Sequence, residues 1–466
     1  MDLKTLSAIE LAEAIRTRKV SSVEVVQDAL NRLKAVHEKC NAVVSTDTEE
    51  ALAAAKEIDA AIASGAQVGP LAGVPLAHKD MFDRAGKIPS WGARIRREKP
   101  CNEDNPLLAR LKAAGSIQIA ALHMTEFAFG PTGHNYVIGH ARNPWDPTRI
   151  PGGSSSGSAI CVATGVVPAA LGSDTAGSLR LPAAACNVTS LKPTWSRVSR
   201  AGAMPLSPSL DCVGPIARDV RDLALIMSLI AGHDPRDGSS SRRPVPDYLG
   251  LIDQPVDGIR IGVDERLIGE AHPEVQQRLE GAMKILERAG AKRVSVRFQD
   301  WRALDHMGQI LQLCEVASEH GPYLRKRGAD YGPQVRARME FGHFIPGSDY
   351  VTALRARGTI LSRVLTETFG NCDMVILPTF ADPLPTIDEL DVGGGPQLMN
   401  AIGRVILYTR PANYLGLPAL TLPYPRESYL PNGFQIVGRP FDEARMLAVG
   451  RAYQKEVPGE IAKEKC

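Results

Sequence analysis

Three separated groups of residues in this 466-residue chain have the types and spacing that acyl chemistry requires. One is Pro151-Gly-Gly-Ser-Ser-Ser-Gly-Ser158, and another is Gly172-Ser-Asp-Thr-Ala-Gly-Ser-Leu-Arg-Leu-Pro182, with Ser154 and Ser178 24 residues apart. Both serines lie in backbone that carries few side chains, so a substrate carbonyl can approach main-chain N–H groups closely. The pair reads as a nucleophile and a proton relay. Upstream, Gly73-Val-Pro-Leu-Ala-His-Lys-Asp80 puts Lys79 at the end of a short apolar run. Burial there disfavours the charged amine, and a neutral lysine is a base that can activate a serine. Together the three groups suggest Ser-Ser-Lys acyl chemistry.

Two other readings of the same residues are weaker. Gly153-Ser-Ser-Ser-Gly157 satisfies G-x-S-x-G with Ser155 as nucleophile, but that motif needs a strand and a sharp elbow before it. The preceding Asn143 to Pro151 is turn-rich and holds three prolines. None of the ten histidines lies in a motif that orders it as a base, and only His78 has a position near the candidate site. Asp80, next to Lys79, would point to the opposite side of a strand.

These groups need a scaffold. Ser7-x-x-Glu10 and Ser21-x-x-Glu24 are capping boxes that start two amphipathic helices, and an Ala-rich helix over about 48–64 stops at Gly65. Beyond Gly69-Pro70, short apolar runs at 73–78, 117–122 and 168–173 alternate with helical segments such as 103–114 and 217–231. This texture predicts an α/β fold, a single large mixed β-sheet covered by helices. Residues 1–65 form helices packed on one domain spanning 1–466, and Pro235 to Val256 reads as a surface excursion. Residues 235–370 form a variable, mostly helical substrate-side region.

The chain resembles the amidase signature family, whose core is a Gly/Ser-rich segment preceded by a lysine and followed by a D-T-x-G-S-x-R-x-P element. Asn143-Pro-Trp-Asp146, Leu191-Lys-Pro-Thr194, Asn413-Tyr-Leu-Gly-Leu-Pro-Ala419 and Gly433-Phe-Gln-Ile-Val-Gly-Arg439 look like further landmarks of it. The resemblance implies that Ser178 attacks, Ser154 passes the proton and Lys79 is the final base. It implies an oxyanion hole from Thr175, Ala176, Gly177 and Ser178, with Ala176 where many relatives carry Gly, and a cis bond at Gly153–Ser154. Phe127 and Phe129 match the segment lining the acyl pocket, so they are expected to form an apolar wall there. Gly153, Ser155 and Arg180 are further candidates for substrate contact, although an ion pair with Asp174 is the plainer role for Arg180.

Lysine and arginine number 54 against 52 acidic residues, a net +2 with no run of like charge. That balance implies neither nucleic acid nor an anionic membrane as partner. No signal-peptide pattern and no long apolar span is present, and the protein is expected in the cytoplasm. Eight cysteines lack C-x-x-C spacing and read as reduced thiols, with no metal or organic cofactor implied. The favoured reading is a hydrolase that cleaves an amide, carbamate or urea-type C–N bond of a small molecule, working alone or as a homodimer. The alternative is the A subunit of a glutamyl-tRNA amidotransferase, against which stands Leu181, where that subunit typically carries Gln.

Overall fold

The first helices begin where their caps place them. Ser7 Oγ accepts from Glu10 N while Ser7 N donates to the Glu10 carboxylate, starting the helix Ala8–Arg16, and Ser21 and Glu24 do the same for Ser22–Cys40. Each cap satisfies free N–H groups of a first turn and is worth about 1 kcal/mol. Asn41, at φ 52°, ends the second helix, and Gly65, at φ 77°, follows the third, Thr48–Ala63.

The computed structural model describes residues 2–425, 430–457, 460 and 462. Within them eleven strands make one mixed sheet. In chain order they are β1 Val43–Thr46, β2 Pro75–Lys79, β3 Ile117–Leu122, β4 Ala169–Asp174, β5 Thr189–Lys192 and β6 Cys212–Ala217. The rest are β7 Arg260–Val263, β8 Lys292–Ser295, β9 Met374–Pro378, β10 Ala419–Pro423 and β11 Gly433–Gly438. Their order across the sheet is β1-β3-β2-β4-β6-β5-β10-β11-β9-β7-β8. β2 runs parallel to both β3 and β4, whereas β4, β6, β5, β10 and β11 alternate in direction.

The central strands are buried along their whole length, and their apolar runs follow from cover on both faces. On one side Val26, Leu30 and Leu33 pack with Ile119 and Leu122 of β3 and with Ile160 and Val162 of the helix Ser156–Ala163. That helix has no polar face, because every residue in it is buried. Gly157 in its first turn meets backbone: a Cβ there would lie 2.3 Å from Ala42 O and 2.5 Å from His123 N. Gly157→Ala is therefore expected to destabilise the fold by about 1–3 kcal/mol, seen as a lower Tm.

No disulfide joins any two of the described cysteines, and Cys466 lies outside the described residues. Among the described residues no helix is long and apolar enough to cross a membrane.

Candidate active site

β2, third from one edge of the sheet, ends on Lys79, whose side chain is fully buried. Nζ hydrogen-bonds Ser154 Oγ at 2.6 Å and Ser173 Oγ at 2.8 Å. Desolvation draws the amine down from its ordinary range to about 7, opposed by the more distant charges of Asp211 and Asp174. Asp80 is not among those charges. Its carboxylate accepts from Ser90 N and Ser90 Oγ, and burial raises it to about 6. Asp80 lies just past the end of β2, and the two side chains bond different partners, Lys79 the hydroxyls of Ser154 and Ser173 and Asp80 the N–H and hydroxyl of Ser90. His78 also turns away from Lys79, with Nδ1 2.9 Å from Lys79 O and its ring edge-on to Phe82. Burial holds that imidazole near 4.

The loop bearing Ser154 has a cis peptide bond at Gly153–Ser154. Gly153 has no room for a side chain, since a Cβ would stand 2.8 Å from Gly133 N and 2.9 Å from Gly130 O. Ser156 Oγ donates to Gly152 O at 2.7 Å, and Ser155 Oγ bridges Ser173 O and Ser173 N, each at 3.3 Å. Both hydroxyls thus hold the loop through main-chain bonds. Ser155 is fully buried against β4 with its hydroxyl bonded to main chain, and is not presented as the nucleophile of an α/β-hydrolase elbow.

Ser178 sits on the turn from β4 into the helix Arg180–Ala185. It is the most accessible of the three expected residues, at 9% against 0% for Lys79 and Ser154. The turn is braced from within. Asp174 accepts from Gly177 N at 2.8 Å, Leu179 N at 3.2 Å and Arg180 through Nε and Nη2 at 3.0 Å each. The guanidinium also donates to Gln435 and Asn413, so four of its five N–H groups are engaged and it is wholly buried. Arg180 is consequently a brace and not a substrate contact. Gly177 is corrected as well: its N–H is taken by Asp174, and the N–H groups of Thr175, Ala176 and Ser178 have no hydrogen-bond partner among the described residues.

The segment carrying Phe127 and Phe129 wraps the Ser154 loop, with Thr125 N donating to Ser154 O at 3.2 Å. Phe127 and Ala128 both have positive φ, 50° and 58°. Phe127 packs on His320 and Tyr331, at ring separations of 4.5 and 5.3 Å. Over the Phe129 ring, 3.8 Å from its centroid, lies the guanidinium of Arg338, which also donates to Phe129 O at 3.1 Å. Arg338 is buried, its Nε has no partner, and no carboxylate pairs with it among the described residues. Desolvation, helped by the charge of Arg410, pulls it down to about 9. The expected apolar wall is therefore aromatic below and cationic above.

Sequence reasoning missed Ser173, Asp211 and Arg338. The first stands one residue before a singled-out Asp, and the second directly precedes β6. The third lies 209 residues from Phe129, with no local signal. A metal-ligand grouping occurs at His134, His140 and Asp391, but both ring nitrogens of His134 are already bonded, to Thr132 Oγ1 at 2.7 Å and Ile387 O at 2.9 Å.

A mixed sheet with a buried lysine hydrogen-bonded to two serine hydroxyls, Ser154 and Ser173, is an arrangement that suits amide chemistry. The Amidase family profile matches residues 24–447, and the chain belongs to that family. It is 34% identical to the A subunit of the glutamyl-tRNA(Gln) amidotransferase of Carboxydothermus hydrogenoformans, with 100% of each chain covered. With the protein of the same name from Moorella thermoacetica it shares 36% identity over 98% of this chain and 97% of the relative. Among solved structures, one described as a vestigial protein complex bearing on the origins of an s-triazine catabolic enzyme matches at 32% identity and TM-score 0.91, covering 99% of this chain and 100% of the other. The A subunit of the Thermotoga maritima glutamyl-tRNA(Gln) amidotransferase matches at 30% identity and TM-score 0.81, over 100% and 99%.

These relatives overturn the expectation of a self-sufficient small-molecule hydrolase without protein partners. Two features that argued for it have physical explanations. Leu181 packs in an apolar cluster with Ile150, Leu384 and Ile406, so its type reports packing. Phe129, which pointed to an apolar acyl wall, is capped by a cation.

Proposed function

We propose that the chain is the amide-cleaving A subunit of a glutamyl-tRNA(Gln) amidotransferase, a cytoplasmic complex in which it releases ammonia from glutamine. The observation that carries this reading is the end-to-end similarity to proteins of that name. Arg338 supports the substrate: a buried guanidinium without a carboxylate partner suits the α-carboxylate of glutamine.

In the proposed reaction Ser178 Oγ attacks the side-chain amide carbon of glutamine, and its proton passes through Ser154 Oγ to Lys79 Nζ. The oxyanion is met by the N–H groups of Thr175, Ala176 and Ser178. The proton then returns by the same path to the nitrogen, the C–N bond breaks, and ammonia departs. Water, deprotonated through the relay, hydrolyses the acyl-serine to glutamate. Neutral Lys79 is suited to this exchange, because its lone pair can accept from one serine hydroxyl while its N–H donates to the other.

The test is transamidation of glutamyl-tRNA by the chain combined with the other subunits of the enzyme, with glutamine as donor. Glutamine-dependent Gln-tRNA formation that disappears without this chain is expected. Failure to support transamidation with any such subunits would reject the reading. Arg338→Met is expected to raise KM for glutamine about 10- to 100-fold with a smaller change in kcat, the loss of one charge-assisted contact. An unchanged KM would remove Arg338 from substrate binding.

A further inference from the structure

We infer that Asp211 is a positioning residue, which fixes the oxyanion turn through Thr175 and supplies the counter-charge that Lys79 needs when it holds a proton. The inference rests on the acyl-serine reading above. β4 and β6 are antiparallel with Asp174 opposite Cys212, so Asp211 lies just beyond the end of the ladder, beside Thr175. Thr175 Oγ1 donates to Asp211 Oδ1 at 2.6 Å. The other carboxylate oxygen accepts from Leu206 N at 2.9 Å and Ser207 N at 3.0 Å. Asp211 is thereby anchored on its own loop and grips, through a side chain, the first residue whose N–H is open to the oxyanion.

Its charge matters for a second reason. Lys79 has only hydroxyls in contact, and proton transfer turns it into a buried ammonium with no ion-pair partner. Of the two carboxylates whose charge reaches it, Asp174 is paired with Arg180 at 3.0 Å, leaving Asp211 as the one without an ion pair. Asp211 and Ser173 share the wall of one cavity of about 260 Å³, which joins the carboxylate to the amine's second hydroxyl. The other charged or titratable groups around the two are Arg200, Arg236 and Asp237 on that cavity wall, Cys212 beside Asp211, His78 directly before Lys79 on β2, and Lys192 at the end of β5. Arg200 attracts Asp211 from a distance but pairs with Asp237.

Two substitutions separate the roles. Thr175→Val removes the grip and keeps the charge. Asp211→Asn keeps a grip, because the threonine hydroxyl can turn to accept from the amide, and removes the charge. With glutamine hydrolysis followed from pH 5 to 9 and Tm measured in parallel, Thr175→Val is expected to lower kcat roughly 10-fold with the rising limb of the profile in place. Asp211→Asn is expected to move that limb to lower pH by roughly half a unit, since a nearby negative charge that favoured protonated Lys79 has gone. An Asp211→Asn limb that coincides with the wild type overturns the counter-charge, whatever its Tm, and an unchanged kcat in Thr175→Val overturns the grip. If the wild type, combined with the other subunits, cleaves no glutamine, or Ser178→Ala leaves cleavage intact, it is the acyl-serine reading that fails instead.

Discussion

Ser178→Ala is expected to lower glutamine cleavage by about 10⁶-fold, to the level given by binding and the oxyanion turn alone, with Tm close to that of the wild type. The size of the effect follows from covalent catalysis: without the hydroxyl no acyl-enzyme forms, and neither Ser154 nor Lys79 has anything to deprotonate. The unchanged Tm follows from the surroundings. Ser178 is the least buried of the three, and the turn is held by Asp174, Arg180, Asn413 and Gln435, none of which needs its side chain. A glutamine-analogue electrophile is expected to label Ser178, as read by peptide mass spectrometry. Labelling of Ser155 in its place, or substantial turnover in Ser178→Ala, would displace Ser178 from the nucleophile's role.

The parts of this site legible in the sequence are those whose chemistry is local. Glycines and serines packed into a few residues announce backbone that must come close to something, and Gly153, with two backbone atoms under 3 Å from a would-be Cβ, shows why no other residue stands there. Capping boxes at Ser7 and Ser21 needed only three-residue spacing. The apolar runs at 73–78, 117–122 and 168–173 match β2, β3 and β4 to within two residues, because strands covered on both faces are mostly apolar and carry few polar positions to blur them. β7 offered no such signal: it is a four-residue strand, Arg-Ile-Gly-Val, that borrows its place from β9.

What escaped was the chemistry made by distant chain. Arg338 looks in sequence like any arginine on a surface helix, and only its seat over Phe129 makes it a buried cation. Phe129 read as apolar for the same reason. Leu181 carried the opposite error: a position treated as a marker of function belongs to the packing of Ile150 and Leu384. The partner question turned on these side chains. Among the described residues, five of the seven large exposed apolar side chains, Tyr323, Phe341, Phe344, Val351 and Leu354, lie within 323–354, a concentration to which the scattered charge of the chain holds no clue.

Lys79→Met is expected to lower kcat by about 10³- to 10⁴-fold, the range for a general base, while raising stability at acid pH. Both signs come from one fact. The amine is buried among hydroxyls without a carboxylate in contact, and its value falls from 10.5 to about 7. For activity, the base form must be present, so kcat/KM of the wild type is expected to rise with pH up to about 7 and level off above it. For stability, a lysine depressed in the folded state binds fewer protons than in the unfolded chain between about 7 and 10.5, so its unfavourable contribution is full below 7 and relieved as pH rises through that window. Methionine has no proton to bind. The difference in Tm between Lys79→Met and wild type is therefore expected to be largest near pH 6 and to shrink towards pH 10. A profile for the wild type that is flat from pH 5 to 9, or a variant less stable than wild type at pH 6, would mean that Lys79 is not the neutral base of this site.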